Sequence, residues 1–329
     1  DSYQKANYNY ILMKKLLISL TIFSLSAATM YQANAHWTSK RPDGHAPIGV
    51  MADHKHAKGE WMLSYRHMSM EMDGISTATG YTMRPTDMSM DMNMFGAMYA
   101  QSDKLTWMLM VNHIDNEMQM TNGMMTSQMQ SKGLGDSSLS GLFDIKSWDE
   151  ETLIGTIGLG IPTGSINEKK SGSTQRQPYA MQLGSGTLDI RPGITYLGQN
   201  EGYSWGAQIT AVIRTGTNDN NYSLGDRWNA TAWIARKLSN NLSASIRLTG
   251  ERIGSIDGSD SNIGMLMMSP SNNPANSGGD LVSGLGGINY LFKNGHRLAL
   301  EYQIPLDQDL DGIQMERDNT VTLGWQYAW

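Results

Sequence analysis

The chain has no cysteine. That excludes a disulfide-stapled scaffold, thiolate metal sites and a cysteine nucleophile, and leaves the compartment open, because exported proteins also fold without disulfides. Basic residues are in deficit, with 25 Lys plus Arg against 31 Asp plus Glu and a formal net charge of -6. A protein that holds a nucleic-acid backbone needs the opposite balance, so nucleic acid is not an expected partner. Beyond the first tenth of the chain no apolar run reaches the ~18 residues of a spanning helix, which excludes a helical membrane protein. Catalytic signatures are missing as well. There is no Gly-x-Ser-x-Gly elbow, phosphate loop or His-Glu-x-x-His, and the carboxylates are scattered, so the expectation is not an enzyme, with no catalytic residues.

What is present begins with an export signal. Met13 is followed by Lys14 and Lys15, an apolar core from Leu16 to Leu25, and the small-x-small site Ala33-Asn34-Ala35. These are the three parts of a secretory signal, whose core is too short to stop in a bilayer. Residues 1–12 read as an upstream, non-native extension, 13–35 as the signal peptide, 36–58 as a His-containing segment in the periplasm or the lumen, and 59–329 as the folded body.

The body alternates with period two. Val321, Leu323, Trp325, Tyr327 and Trp329 share one parity, and Thr320, Thr322, Gly324, Gln326 and Ala328 the other. The pattern recurs where Leu298, Leu300, Tyr302 and Ile304 oppose Arg297, Ala299, Glu301 and Gln303, and where Leu242, Ala244, Ile246 and Leu248 oppose Ser243, Ser245, Arg247 and Thr249. One greasy face and one polar face suit a sheet between lipid and a watery interior. About twelve strands follow, near 59–71, 88–101, 105–119, 136–148, 151–161, 185–197, 203–215, 226–238, 241–253, 279–292, 296–305 and 319–329. Each has the ~9–11 residues that a tilted spanning strand requires.

Short links (102–104, 149–150, 199–202, 239–240, 293–295) alternate with long ones rich in Gly, Ser and Asn (72–87, 120–135, 162–184, 216–225, 254–278, 306–318). Short periplasmic turns and long external loops define an all-β, transmembrane, antiparallel up-and-down barrel of about twelve strands in the bacterial outer membrane. An even count puts both ends in the periplasm. The expected partners are outer-membrane lipid, a small solute, and the barrel-assembly machinery through the strand ending in Trp329.

If the polar parity faces inward, the lumen holds Arg66, Asp144, Lys146, Asp189, Arg191, Arg214, Arg247, Glu251, Arg297 and Glu301. Two readings stand. The charges pair among themselves in a sealed barrel with a structural or binding role, or they line a pathway that orients a solute.

Methionine is the compositional outlier: 25 residues, 17 of them between Met62 and Met129. Met68 and Met70 share parity with Arg66, and Met108 and Met110 with Thr106, so these rows are expected to point inward, while the direction of the row at 88–98 is ambiguous. Thioether is a flexible apolar filler and also a soft ligand for Cu(I) or Ag(I). Histidines cluster at His36, His45, His54 and His56. Packing and copper or silver binding by these Met and His residues both remain open, and the chain otherwise implies no cofactor.

The stretch His45-Ala46-Pro47-Ile48-Gly49-Val50-Met51, then Asp53-His54, His56 and Gly59-Glu60-Trp61-Met62-Leu63-Ser64-Tyr65-Arg66, followed by Met70-Glu71-Met72-Asp73-Gly74, resembles the opening of a bacterial family. Its members are labelled transporters or meta-pathway phenol-degradation-like outer-membrane proteins. The similarity continues through Phe95-Gly96-Ala97-Met98-Tyr99-Ala100 and Lys132-Gly133-Leu134-Gly135-Asp136. The resemblance implies an outer-membrane barrel with a transport role; its label establishes no substrate, and no catalytic residues carry over. The expected function is to transport or bind a small solute, hydrophobic or aromatic. In composition the chain is also similar to copper-resistance outer-membrane proteins, which leaves an envelope copper- or silver-handling barrel as the alternative.

Overall fold

The computed structural model describes residues 38–75 and 79–329. The expected signal peptide and His36 lie outside the described residues. The strands in chain order are β1 (Trp61–Asp73), β2 (Arg84–Ser102), β3 (Leu105–Thr121), β4 (Thr126–Leu134), β5 (Ser137–Ser147), β6 (Glu151–Ile161), β7 (Leu188–Gln199), β8 (Tyr203–Thr215), β9 (Tyr222–Ser223), β10 (Arg227–Lys237), β11 (Leu242–Ile253), β12 (Asp257–Gly258), β13 (Gly279–Leu291), β14 (His296–Leu310) and β15 (Glu316–Ala328). Every ladder of the main sheet is antiparallel and follows chain order, with β4 and β5 both pairing with β3, and the sheet closes where β15 pairs with β1. The result is a closed barrel of twelve strands, with β4 as an additional strand. Closure leaves no unpaired edge, the condition for a sheet in hydrocarbon.

Alternation decides which side each residue faces. Leu298, Leu300, Tyr302 and Ile304 are exposed on the outside, whereas Arg297, Ala299 and Glu301 are buried inside. Ile209, at the middle of β8 and opposite Ile194, is 52% exposed, and Ile246 on β11 is 63% exposed. In water such a band would be an aggregation surface; against lipid it is solvated. Aromatic residues gather at the short-turn end: Trp61 beside Tyr99 (4.6 Å between ring centroids), Trp107, Trp148, Tyr290 beside Phe292, and Tyr327 stacked on Trp329. Their amphipathic rings form the interfacial girdle that fixes the barrel's height in a bilayer.

The twelve expected strands are all present, and several run further at the long-loop end. β2 begins at Arg84 and β14 ends at Leu310. Besides the two-residue β9 and β12, one longer stretch expected as a loop is strand: β4 continues the line of β5 along β3, His113 opposite Leu134 and Met110 opposite Ser138. The sequence Thr-Ser-Gln-Met-Gln-Ser-Lys-Gly-Leu carries no lipid-facing apolar parity, because a strand that rises beyond the membrane needs none. The break between β4 and β5 falls at Gly135-Asp136. There the Asp136 carboxylate accepts hydrogen bonds from Gly164 N, Ser185 N and Ser185 Oγ (3.0, 2.8 and 2.6 Å), tying the 162–187 loop to the wall.

The long loops pack on one another. β9 pairs with β12, Tyr179 meets Tyr222 edge-on at 4.9 Å with Ile263 beside them, and Arg176 Nη1 holds Asp260 at 2.8 Å. At the other end the turns are tight, and Gly295 takes the positive φ (+88°) that closes β13 to β14. The lipid-facing reading makes a specific expectation: Ile209→Arg, at mid-strand on the outer face, should cost about 2–4 kcal/mol of folding stability in a bilayer. Urea titration of refolding into vesicles measures it, and an unaffected midpoint would contradict a lipid-facing β8.

Candidate functional site: the lumen and the segment inside it

The polar parity carries the interior, where Thr195, Thr231, Thr249, Ser243, Asn289 and Gln326 are all buried. Between them stand charges that hydrocarbon could not accept unpaired. Arg247 donates through Nε and Nη2 to the two carboxylate oxygens of Glu301 (2.9 and 2.8 Å). Arg214 pairs with Asp189, which also accepts from Thr187 Oγ1, and Arg317 Nη1 donates to Glu251 at 3.0 Å. Arg191 faces Asp189 and Arg214. Two of the ten expected lumen residues sit differently. A bulge between Asp144 and Lys146 sets Lys146 opposite Leu153, on the outer face, with its ammonium 4.9 Å from the Trp148 ring centroid. Asp144 lies at the short-turn rim, half-exposed, paired with Lys55 at 2.7 Å. The bulge has no signature in the alternation read from sequence, because one extra residue inverts parity only locally.

Arg66 and Arg297 have a different role: they hold residues 38–58, which run inside the barrel. Arg297 donates to the carbonyls of Ser39, Arg41 and Pro42 (3.1, 2.8 and 2.7 Å), and Arg66 Nε to that of Ile48 at 2.9 Å. Around the ring, Gln199 Oε1 accepts from Thr38 N, Ser243 Oγ donates to Pro42 O, Gln208 Nε2 donates to Met51 O, and Thr106 Oγ1 accepts from His56 N. A segment without regular structure has no ladder of its own, so wall side chains satisfy its backbone. The fit is close at Pro47-Ile48-Gly49. Gly49 N donates to Glu301 Oε2 at 3.0 Å, and a Cβ there would lie 2.4 Å from both Arg247 Nη2 and that oxygen. Apolar contacts complete it, with Ala46 and Val50 packed among Met62, Met98, Met108, Met110 and Trp233.

The methionine rows all face inward, including the ambiguous one on β2, because Met88, Met90 and Met92 pair with Met72, Met70 and Met68 on the inner parity of β1. Cross-strand register sorts them into two groups. Met72, Met88, Met118 and Met129 form one row across β1–β4, joined by Met83, Met120, Met181 and Met315 towards the long-loop end. Met68 and Met70 do not meet Met108 and Met110: the latter pack below against residues 46–52, whereas Met68 and Met70 lie level with Ile114 and Asn116 of β3. Four residues of strand separate Met110 from Ile114, roughly 13 Å.

Round the ring from the methionines, on β7 to β11 and on β15, where Arg317 pairs with Met72, the outer half of the lumen is lined with arginine. Arg191, Arg214, Arg227, Arg247 and Arg317 face one another and the carboxylates of Asp189, Glu251 and Glu301. Arg227 and Arg317 were absent from the residues singled out by sequence. Both stand where a strand leaves a long loop, where the alternation has only begun.

The three described histidines of the segment come together. Ring centroids of His45 and His54 are 4.0 Å apart and those of His54 and His56 4.9 Å, all three residues being buried. Asp53, missed by sequence reasoning although adjacent to His54, brings its Oδ2 to 3.0 Å from His54 Nδ1 and accepts from Ala46 N at 2.9 Å. Burial holds His45 well below the usual imidazole range, reinforced by the Arg297 charge, and pushes His56 down to about 3. Burial opposes ionisation of Asp53, but the His54 ring and the Ala46 amide outweigh it and keep the carboxyl at about 2. The segment therefore carries neutral His45 and His56 beside an ionised Asp53 at neutral pH.

No family model and no curated protein matches the chain. Among solved structures, an outer-membrane channel from Pseudomonas putida F1 superposes with a TM-score of 0.62 at 13% identity, over 84% of this chain and 97% of that one. The transport unit of the autotransporter AIDA-I from Escherichia coli gives 0.49 at 11% identity over 85% and 93%, and a mutant of the TodX monoaromatic hydrocarbon channel 0.46 at 10% over 83% and 91%. At such identities the shared property is the fold. This chain is an outer-membrane β-barrel.

The buried pair at the centre of the wall has a measurable worth. Glu301→Gln leaves Arg247 buried without its counter-charge and should destabilise the barrel by about 3–5 kcal/mol. The temperature at which heat-modifiable migration is lost on a gel should fall accordingly, and an unchanged temperature would mean that the pair is solvated.

Proposed function

We propose that the barrel passes a small solute with an aromatic or apolar body and an acidic group, and that residues 38–58 close the path at rest. One observation carries the reading: the outer half of the lumen has two unlike sides, thioethers on β1–β4 and guanidinium groups on β7, β8, β10, β11 and β15. Sulfur packs favourably against aromatic rings, and a methionine wall adapts to ligand shape where a branched one would not. Arginine recognises carboxylate by paired hydrogen bonds. The pairing of most guanidinium groups to wall carboxylates supports orientation of a passing solute over tight capture, since conduction needs binding weak enough to release.

The sealed alternative draws on residues 38–58, which meet the wall from β1 round to β15. Planar-bilayer recording separates the two readings. Arg297→Ala removes the donors to three segment carbonyls and should raise conductance severalfold over the parent barrel. If neither protein conducts, the barrel is sealed. For selectivity, liposomes carrying the open variant should take up an aromatic carboxylate severalfold faster than a neutral sugar of similar mass, and Arg227→Gln should shrink that difference. Equal rates before and after the substitution would remove the acidic group from the proposal.

A further inference from the structure

The histidine cluster inside the lumen has no use in the transport reading. We propose that His45, Asp53, His54 and His56 form a binding site for one divalent transition-metal ion of the zinc and copper class, which clips residues 38–58 in their folded form.

Four observations converge. One ligand atom from each of His45, Asp53 and His54 already lies within 4.8 Å of the others, and all three residues are buried. A tetrahedral shell with bonds of about 2.0 Å sets its donor atoms about 3.3 Å apart, so these three close by at most about 1.5 Å, and His56, its ring centroid 4.9 Å from that of His54, would turn inward to complete the set. Second, imidazole nitrogens of the cluster lack hydrogen-bond partners. His54 is fully buried, and neither of its ring nitrogens has a hydrogen-bond partner. Asp53 Oδ2 stands 3.0 Å from Nδ1, an ion-pair contact that already sets a carboxylate oxygen beside the ring. His56 Nε2 is buried and unpartnered too. Orphaned buried nitrogens are costly, and occupancy by an ion removes the cost.

Third, the outer contacts are those of metal-binding histidines. His45 Nδ1 donates to Gln326 Oε1 at 3.1 Å, which fixes the ring and leaves Nε2 as its free nitrogen. Asp53 is held by the Ala46 amide in the same way. Fourth, the donor set is selective by class. Imidazole with one carboxylate suits zinc, copper or nickel and is a poor match for magnesium or calcium, which take oxygen. It is also unlike the thioether rows, which lie outside this site and favour monovalent copper or silver.

The ion would join His45 to His54 and His56 across the Pro47-Ile48-Gly49 turn that Arg66 and Glu301 hold to the wall. A bond across that turn cross-links the part of the segment lacking its own secondary structure, so binding energy becomes ordering energy.

The test uses the full-length barrel in detergent, dialysed against Zn(II) and then Cu(II), with metal counted by elemental analysis. One ion per chain is expected. His54→Phe keeps a ring in the buried site but removes both nitrogens, and should weaken binding a hundredfold or more while heat-modifiable migration shows the barrel intact. Asp53→Asn should weaken it about tenfold, and His36→Ala and His113→Ala should leave it unchanged. On the parent protein, the Cu(II) electron paramagnetic resonance spectrum should show splitting from three imidazole nitrogens, a readout that needs no variant. Absence of a bound ion, unchanged affinity in His54→Phe, or loss of the ion in His36→Ala would each overturn the site. None of these measurements involves conductance, so the site and the transport reading fail separately.

Discussion

Backbone pairing without an edge is the constraint on which everything else depends. In hydrocarbon each unpaired N–H or C=O costs several kcal/mol, so a sheet survives only as a ring. Here the ring shuts between the first and last strands, with Trp61 and Trp329 exchanging N–H···O bonds of 2.9 Å in both directions. The terminal aromatic residue thus completes the ladder and also stands in the interfacial girdle. Once the ring is closed, strict alternation leaves no freedom in which side chains enter the lumen.

A ring of this size must then do something with its interior. Charges placed there cannot reach lipid and have limited water, so most find a partner: Asp189 with Arg214, Glu251 with Arg317, Glu301 with Arg247. Arg66 and Arg297 take the exposed carbonyls of residues 38–58 instead, the same electrostatic demand met by backbone dipoles. The interior segment and the wall therefore satisfy one another. The segment borrows hydrogen bonds that it cannot make internally, and the wall acquires acceptors for guanidinium groups that would otherwise be orphaned. The Pro47-Ile48-Gly49 turn belongs to this exchange, since a Cβ at Gly49 would push apart the paired ends of Arg247 and Glu301.

Methionine fills what is left. Unbranched and deformable, it packs against Ala46 and Val50 near the short-turn end and against other methionines near the long-loop end. Cross-strand pairing makes rows of it, Met72 to Met88 to Met118 to Met129, which a linear count along the chain shows only as stripes on separate strands. The same wall is a packing surface where it meets the segment and a solute-facing surface where it does not.

The sequence alone determined the class, the strand count and the inside-outside assignment of most positions, because period two is local and lipid enforces it on every spanning strand. It did not reveal β4, whose residues rise beyond the membrane and lose the apolar parity that marks the others. Nor did it reveal the bulge that turns Lys146 outward, because one inserted residue changes parity without changing composition. At the candidate site the balance reverses. His45, His54 and His56 were visible as a cluster in the chain, yet their meeting with Asp53 under Gln326 depends on a fold-back through the lumen that no local pattern encodes. Only the tertiary structure decided which methionines share a level, because register between strands is fixed by turns and by the ring's closure, and which arginines pair, because their partners lie on strands distant in sequence.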